Sequence, residues 1–349
     1  MALILGLPTA ASADPEDHVD SHGGFNHDGQ PPESPPFIGP QYQGMPLVGN
    51  SDKDGTTNSD LAFWGNLVFS GNYDGFRILD VSDPKNTVVL SDFACRGPQN
   101  DVSVAKAGDR LLLFMSIDSA QTQEDCSSAD NPIISEGGST YRAFGFEGIR
   151  MFDVTDPRHP VFLDGMPTPC GSHTHTLVPN RTQNKIHLYV SSYPLATGRT
   201  APSQVAAAGP LACVAPHQKI SIVDVPLDDP TGWSARQKSL SDNTAENRGF
   251  KACHDINVFL PKDVAVASCA GDAQIWDISD PANPTASNGE PHTHIYNPSA
   301  ADQFEFIHSG VITWDGKYFA IMDETGGGGS SECDGPPEPE GDSEHGFYY

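Results

Sequence analysis

The chain has 349 residues, 37% of them hydrophobic, with 34 glycines, 30 prolines and a formal net charge of −27. So much Gly and Pro argues against long helices and for many short strands joined by turns. The charge repels nucleic acid and anionic lipid, and no apolar run approaches the roughly 18 residues of a membrane helix, so neither a nucleic-acid partner nor a membrane span is expected.

Ala2 to Ala10 is a short apolar stretch, and Ala11-Ser12-Ala13 has the small-x-small form of a cleavage site. Residues 1–13 therefore read as the remnant of a secretory signal without its basic start, cut before Asp14. Residues 14–45 carry Pro, Gly, acids and three histidines, His18, His22 and His27, with no periodicity. They read as a flexible arm.

From residue 46 onward one pattern recurs: an apolar strand ending in Asp-Val or Asp-Ile, then Ser/Thr-Asp-Pro, then another strand. It runs from Gly75 to Pro84, from Gly148 to Pro157 and from Gln274 to Pro281, and in shorter form from Lys219 to Val225. Each unit has two further strands before it. In the first they are Leu61–Trp64 and Leu67–Ser70 around Gly65-Asn66; in the fifth they are Val311–Trp314 and Tyr318–Ile321 around Asp315-Gly316, a type I′ turn signal. Four antiparallel strands repeated in one order are the blades of a β-propeller. The fold class expected is thus all-β, with blades at about 58–94, 99–168, 172–245, 253–290 and 307–349, the last one cut short. His345-Gly346-Phe347-Tyr348-Tyr349 matches the start of a third strand whose aspartate does not follow, so six or seven blades are expected in the intact protein. Insertions fall between second and third strands, at roughly 118–145, 194–216 and 324–345.

The strand-Asp-Val-Ser-Asp-Pro signature resembles the LVIVD-repeat proteins, secreted or surface β-propellers of bacteria and archaea. The resemblance covers the chain from about residue 50 to its end and implies the same fold, while leaving function open.

Seven cysteines in a secreted chain imply disulfides and one orphan. Cys95, Cys170 and Cys253 each precede an inner strand; Cys126 and Cys213 lie in insertions and Cys269 ends a second strand. The connector entering a blade and the loop after its second strand share one face. Pairs within a blade follow: Cys95–Cys126, Cys170–Cys213 and Cys253–Cys269, with Cys333 unpaired. Zinc binding by these cysteines is the weaker reading, since no C-x-x-C pair exists.

Aligned by blade, the inner strands begin Asn58-Ser59-Asp60, Asn100-Asp101-Val102, His173-Thr174-His175, His254-Asp255-Ile256 and His308-Ser309-Gly310. First residues of inner strands sit at the mouth of a propeller's channel, so Asn58, Asn100, His173, His254 and His308 are expected to converge there. His175, two residues on, should face the same side one step deeper, with Asp60 as its counterpart. Asp101 and Asp255 should face the other side and orient their neighbours. Converging imidazoles with carboxylates nearby suit zinc, copper or iron. The placement of His173, His175, His254 and His308 also resembles, more loosely, the channel histidines of the selenium-binding and copper-dependent methanethiol oxidase propellers. His292-Thr293-His294 falls in the outer strand or connector after the fourth Asp-Pro turn and reads as an exposed segment rather than a ligand, and His187 and His217 read as structural. Asp80, Asp153, Asp224 and Asp277 recur in every blade, which marks them as turn residues that accept backbone N–H bonds. There is no G-x-S-x-G elbow, P-loop or dinucleotide fingerprint. The expectation is a secreted or cell-surface binding module for a small ligand, polymer or extracellular protein, with a histidine-lined mouth that takes a metal or small ligand. A metal-dependent oxidase or hydrolase and a structural cell-envelope protein are the alternatives.

Overall fold

The computed structural model describes residues 47–51, 53–119, 121–128, 133–136, 139–142, 145–194, 211–240, 251–286, 293–294 and 307–323. The signal remnant, the arm to residue 45, Cys333 and the fifth blade beyond residue 323 lie outside them.

The first blade is β1 (Asn58–Trp64), β2 (Leu67–Asn72), β3 (Gly75–Asp80) and β4 (Val88–Ala94), hydrogen-bonded in that order. The second is β5 (Gln99–Ala107), β6 (Arg110–Ile117), β9 (Gly148–Asp153) and β10 (Val161–Pro167); between β6 and β9 a separate hairpin, β7 (Ile133–Glu136) and β8 (Ser139–Arg142), occupies the insertion. The third is β11 (Thr174–Asn180), β12 (Lys185–Ser191), β13 (Lys219–Pro226) and β14 (Ser234–Ser239). The fourth is β15 (Asp255–Phe259), β16 (Val264–Cys269) and β17 (Asp272–Asp277), flanked by β18 (Thr285–Ala286) and β19 (Thr293–His294), which both pair with β17. The fifth begins with the hairpin β20 (Ile307–Ile312) and β21 (Phe319–Asp323). All pairings are antiparallel, and the inner strands β1, β5, β11, β15 and β20 lie side by side in that order. This is the β-propeller that the repeat implies. Thr293 and His294 belong to an outer strand, one of the two placements expected from sequence, where β19 extends the pairing along β17.

The middle strands of the second and third blades are apolar on both faces because a neighbouring blade covers each side. Leu113, Met115, Phe69, Phe76, Ile78 and Phe152 form the core between the first two blades. Leu112, Phe114 and Met151 point the other way and meet Leu188, Val190 and Val223 of the third. Tyr189, Ile220 and Ile222 pack on Ala265, Ala267 and Trp276 of the fourth. The uninterrupted run Leu111–Met115 is therefore a strand buried on two sides. The entry of an inner strand is also laced to the end of the preceding blade's second strand. The backbone N–H of Ser172 reaches Ile117 O at 2.8 Å and that of Ile307 reaches Ala270 O at 2.8 Å, across blade boundaries.

The repeated aspartates act as turn residues. Asp80, Asp153 and Asp277 accept the N–H two residues on at 2.8, 2.9 and 2.8 Å. Asp224 departs from this expectation. Its blade has Val225-Pro226 where the others have Ser/Thr-Asp-Pro, and its carboxylate instead accepts from His187 Nδ1 at 2.6 Å and lies beside Arg236. The fifth hairpin is also looser than the two-residue type I′ turn expected. Thr313 N–H bonds to Tyr318 O and only Gly316 has positive φ, at +65°, whereas type I′ needs two such residues.

Disulfides join Cys95 to Cys126, Cys170 to Cys213 and Cys253 to Cys269. Each ties the entry of an inner strand to the end or insertion of a second strand. Buried Arg150 adds a polar fastening next to the first one. Its guanidinium donates to Glu124 O, Gln123 O and Thr122 Oγ1 and lies over the Phe146 ring.

Candidate functional site: the axial histidine cluster

Three of the inner-strand histidines meet at the channel mouth. His173 and His254 precede β11 and β15 by one residue, and His308 is the second residue of β20. The ring centroids of His173 and His254 are 4.3 Å apart, and those of His254 and His308 3.9 Å. His173 and His254 are only 7% and 4% exposed. Cys253 is bonded to Cys269 immediately before His254, and Cys170 to Cys213 three residues before His173, so two disulfides brace the backbone that presents the rings.

Two groups that sequence reading did not single out complete the cluster. Asp118 follows β6, and its Oδ2 accepts from His173 Nδ1 at 2.8 Å. Tyr193 lies two residues beyond β12, with its Oη 3.2 Å from His173 Nε2 and its ring stacked on His254 at 5.6 Å. Tyr73, just after β2, occupies the same place in the first blade. The signal was available: the residue leaving the second strand of each blade arrives at the same mouth as the residue entering the first.

The Asp118 contact sets the chemistry of His173. A carboxylate only accepts, so Nδ1 carries the proton and Nε2 turns a lone pair into the mouth. With that tautomer it accepts a hydrogen bond from His254 Nε2–H at 2.9 Å. Asp118 Oδ1 is buried and has no hydrogen-bond partner among the described residues. Burial first, then the neighbouring His173 and His308, hold the His254 imidazole well below its ordinary pKa. Burial, followed by His173, brings His308 down to about 4. Both rings are thus neutral at physiological pH, and neutral imidazoles offer lone pairs. Burial and then the Asp118 charge raise the Tyr73 phenol.

The remaining expected residues are not brought to this cluster. Asn58 is exposed at the start of β1. Asn100 is buried, but its amide donates to the carbonyls of Asn72, Gly75 and Cys95. A bulge between Gln99 and Val102, with Gln99 and Asn100 at φ +72° and +45°, turns this side chain away from the axis. His175 is sealed between the second and third blades. Its Nδ1 lies 2.7 Å from Ser116 Oγ and 2.9 Å from Asp101 Oδ2, and its Nε2 2.6 Å from Ser103 Oγ. With both nitrogens engaged it is a tie between blades, not a ligand. Asp101, expected on the opposite side of its strand from the ligand set, serves this tie and also accepts the His175 N–H at 2.8 Å. Burial works to raise Asp101, but the charge and hydrogen bonds of His175 outweigh it and hold its carboxyl below the usual range.

Asp60 accepts the Val102 N–H at 3.1 Å, and burial, then repulsion from Asp101, raises its pKa to about 6. Asp255 accepts from Ile256 N–H at 2.8 Å and is likewise raised to about 6 by burial and then Asp101. His187 binds Asp224, and His217 contacts Cys170 Sγ at 3.4 Å and Ser192 Oγ at 3.2 Å. Both are structural.

Among the described residues, no set of three or more His, Cys, Asp and Glu side chains is placed to hold a metal ion. His173 and His254 face one another, while His308 lies against His254 with its Nδ1 3.3 Å from Ser309 Oγ. Also among the described residues, no helix is long and apolar enough to cross a membrane. Three disulfides are compatible with an extracellular protein.

No protein-family model and no curated protein matches the chain. Solved structures similar to it include the WD40 domain of SCAP from fission yeast (9% identity, 76% of this chain and 48% of that one, TM-score 0.38). Others are a hypothetical selenium-binding protein from Sulfolobus tokodaii (11%, 75% and 68%, 0.35) and an α-L-arabinofuranosidase from Clostridium thermocellum (10%, 77% and 82%, 0.36). The chain spans about half the length of the WD40 structure. At these scores the likenesses concern the propeller architecture alone and assign no activity.

Proposed function

We propose that this protein is a secreted or cell-surface propeller of the LVIVD-repeat kind whose axial mouth binds a transition-metal ion, with His173 and His254 as nitrogen donors. One observation carries the reading. Asp118 fixes the His173 tautomer so that its Nε2 accepts from a second imidazole nitrogen 2.9 Å away, a pair that an ion could bridge in place of the shared proton. Nitrogens about 2.05 Å from a shared ion lie about 2.9 Å apart at a right angle and about 3.4 Å apart at the tetrahedral angle. The carboxylate behind an imidazole ligand is the usual support of such a site, and the orphaned, buried Asp118 Oδ1 fits a nearby cation. The ion would supply Lewis acidity or a bound ligand's anchorage; the chain supplies orientation and exclusion of water. The Asp118–His173 pair is also how a general base is oriented, so a metal-dependent oxidase or hydrolase is the second reading.

Elemental analysis after loading with zinc, copper or iron and dialysis tests this. About one ion per chain is expected, with loss on His254→Ala and retention on His175→Gln. Substoichiometric metal, or metal indifferent to His254, overturns it.

A further inference from the structure

The two imidazoles leave a coordination set short of a donor. His308 does not supply it as placed: its ring packs against that of His254, tilted by 39° with centroids 3.9 Å apart, and its Nδ1 faces Ser309. Among the described residues no third His, Cys, Asp or Glu is arranged for the purpose. Tyr193 is in reach. Its Oη is 3.2 Å from His173 Nε2, and its ring is held against both imidazoles, 4.8 Å from His173 and, stacked at 29°, 5.6 Å from His254. The spacings of 2.9 and 3.2 Å among these donor atoms fall in the range that ligands of one small ion show.

We infer that Tyr193 is the third donor, as a phenolate, and that the site therefore selects an oxidised, oxygen-loving transition ion, ferric iron or cupric copper, over zinc. This rests on the metal-binding reading above and names its ion class. The hardness argument is general: carboxylate and phenolate oxygens favour highly charged ions, while zinc sites are built from imidazole, thiolate and carboxylate. Asp118 adds a buried negative charge behind His173, which further favours higher ionic charge at the mouth. Coordination converts the Tyr193 hydroxyl to phenolate and releases its proton to solvent; no electron is transferred.

The test is a titration of the full-length, disulfide-bonded protein with Fe(III) citrate, Cu(II) and Zn(II) in turn. A phenolate bound to Fe(III) or Cu(II) gives a visible charge-transfer band and ring vibrations enhanced in the resonance Raman spectrum. Both are expected in the wild type, and both should vanish in Tyr193→Phe, which keeps the ring. Affinity for the oxidised ion should fall about tenfold or more in that variant, and one fewer proton should be released per ion bound. The Zn(II) affinity should hardly change. Binding that depends on His254 but shows no phenolate band in the wild type overturns the role of Tyr193 and leaves the metal-binding reading standing. No binding of any of the three ions overturns both. The Raman signature is read on the wild type, so the outcome does not depend on whether the variant folds.

Discussion

Two histidines two residues apart at the start of one strand have different fates. His175 and His173 are both nearly buried, both touch a carboxylate, and both come from the same His-Thr-His motif. His175 has Asp101, Ser116 and Ser103 around its two nitrogens and joins two blades. His173 has Asp118 on one nitrogen, while the other faces an imidazole and a phenol. Burial and a carboxylate partner therefore do not separate a structural histidine from a ligand. What separates them is whether the second nitrogen meets a serine hydroxyl fixed between blades, as in His175, or other side chains that can themselves become ligands, as in His173.

The contrast is broken most severely by removing one side of the tie. Asp101→Ala leaves His175 buried with its ion partner gone, and should destabilise the protein by about 3–5 kcal/mol, read from denaturant midpoints. His173→Ala, at the mouth, should cost far less stability and abolish ion binding. Equal stability losses in the two variants would erase the distinction. Reducing the disulfides comes next. Each should contribute about 2–4 kcal/mol, mainly by restricting the unfolded chain, so a phosphine reductant should lower the melting temperature. The Cys253→Ser/Cys269→Ser pair should also weaken ion binding more than Cys95→Ser/Cys126→Ser, because Cys253 adjoins His254.

Much of the architecture was legible in the chain, and the limits of that reading are physical. The blades could be read because a strand covered on both faces leaves an apolar run and its turn leaves an Asp, as at Leu111–Met115 and Asp153. The pairing of cysteines followed from blade geometry. Asn100 was misplaced because a bulge with two residues of positive φ shifts the register by one, and neither Gln99 nor Asn100 announces that. Asp118 and Tyr193 were overlooked because attention to inner-strand starts omits the residues leaving the second strands. The role of His175 depended on Ser103 and Ser116, from another blade, which no local pattern links to it.

A smaller effect sharpens the tie itself. Asp60 has a folded pKa of about 6, above its ordinary value of 3.8. Its ionisation is therefore resisted by the fold, so the stability linked to it is present below about pH 4 and lost as pH rises through 6. Asp60→Asn keeps an acceptor for Val102 N–H and should stabilise the protein at pH 7 by about 1–3 kcal/mol. That gain should vanish below about pH 4; a gain independent of pH would show that ionisation of the buried Asp60 carboxyl, beside Asp101, is not its source. Smallest in stability, though not in binding, is Asp118→Asn. It should leave the melting temperature nearly unchanged and lower ion affinity about 10- to 100-fold by releasing the His173 tautomer.

The central claim is that imidazole nitrogens at the axis hold an ion. X-ray absorption fine structure of the metal-loaded, full-length protein reads that shell directly. The account predicts at least two imidazole ligands, identified by their outer-ring scattering, at about 2.0–2.1 Å, and their loss in His173→Ala. A shell of oxygen donors without imidazole scattering, or one unchanged by that substitution, would contradict it.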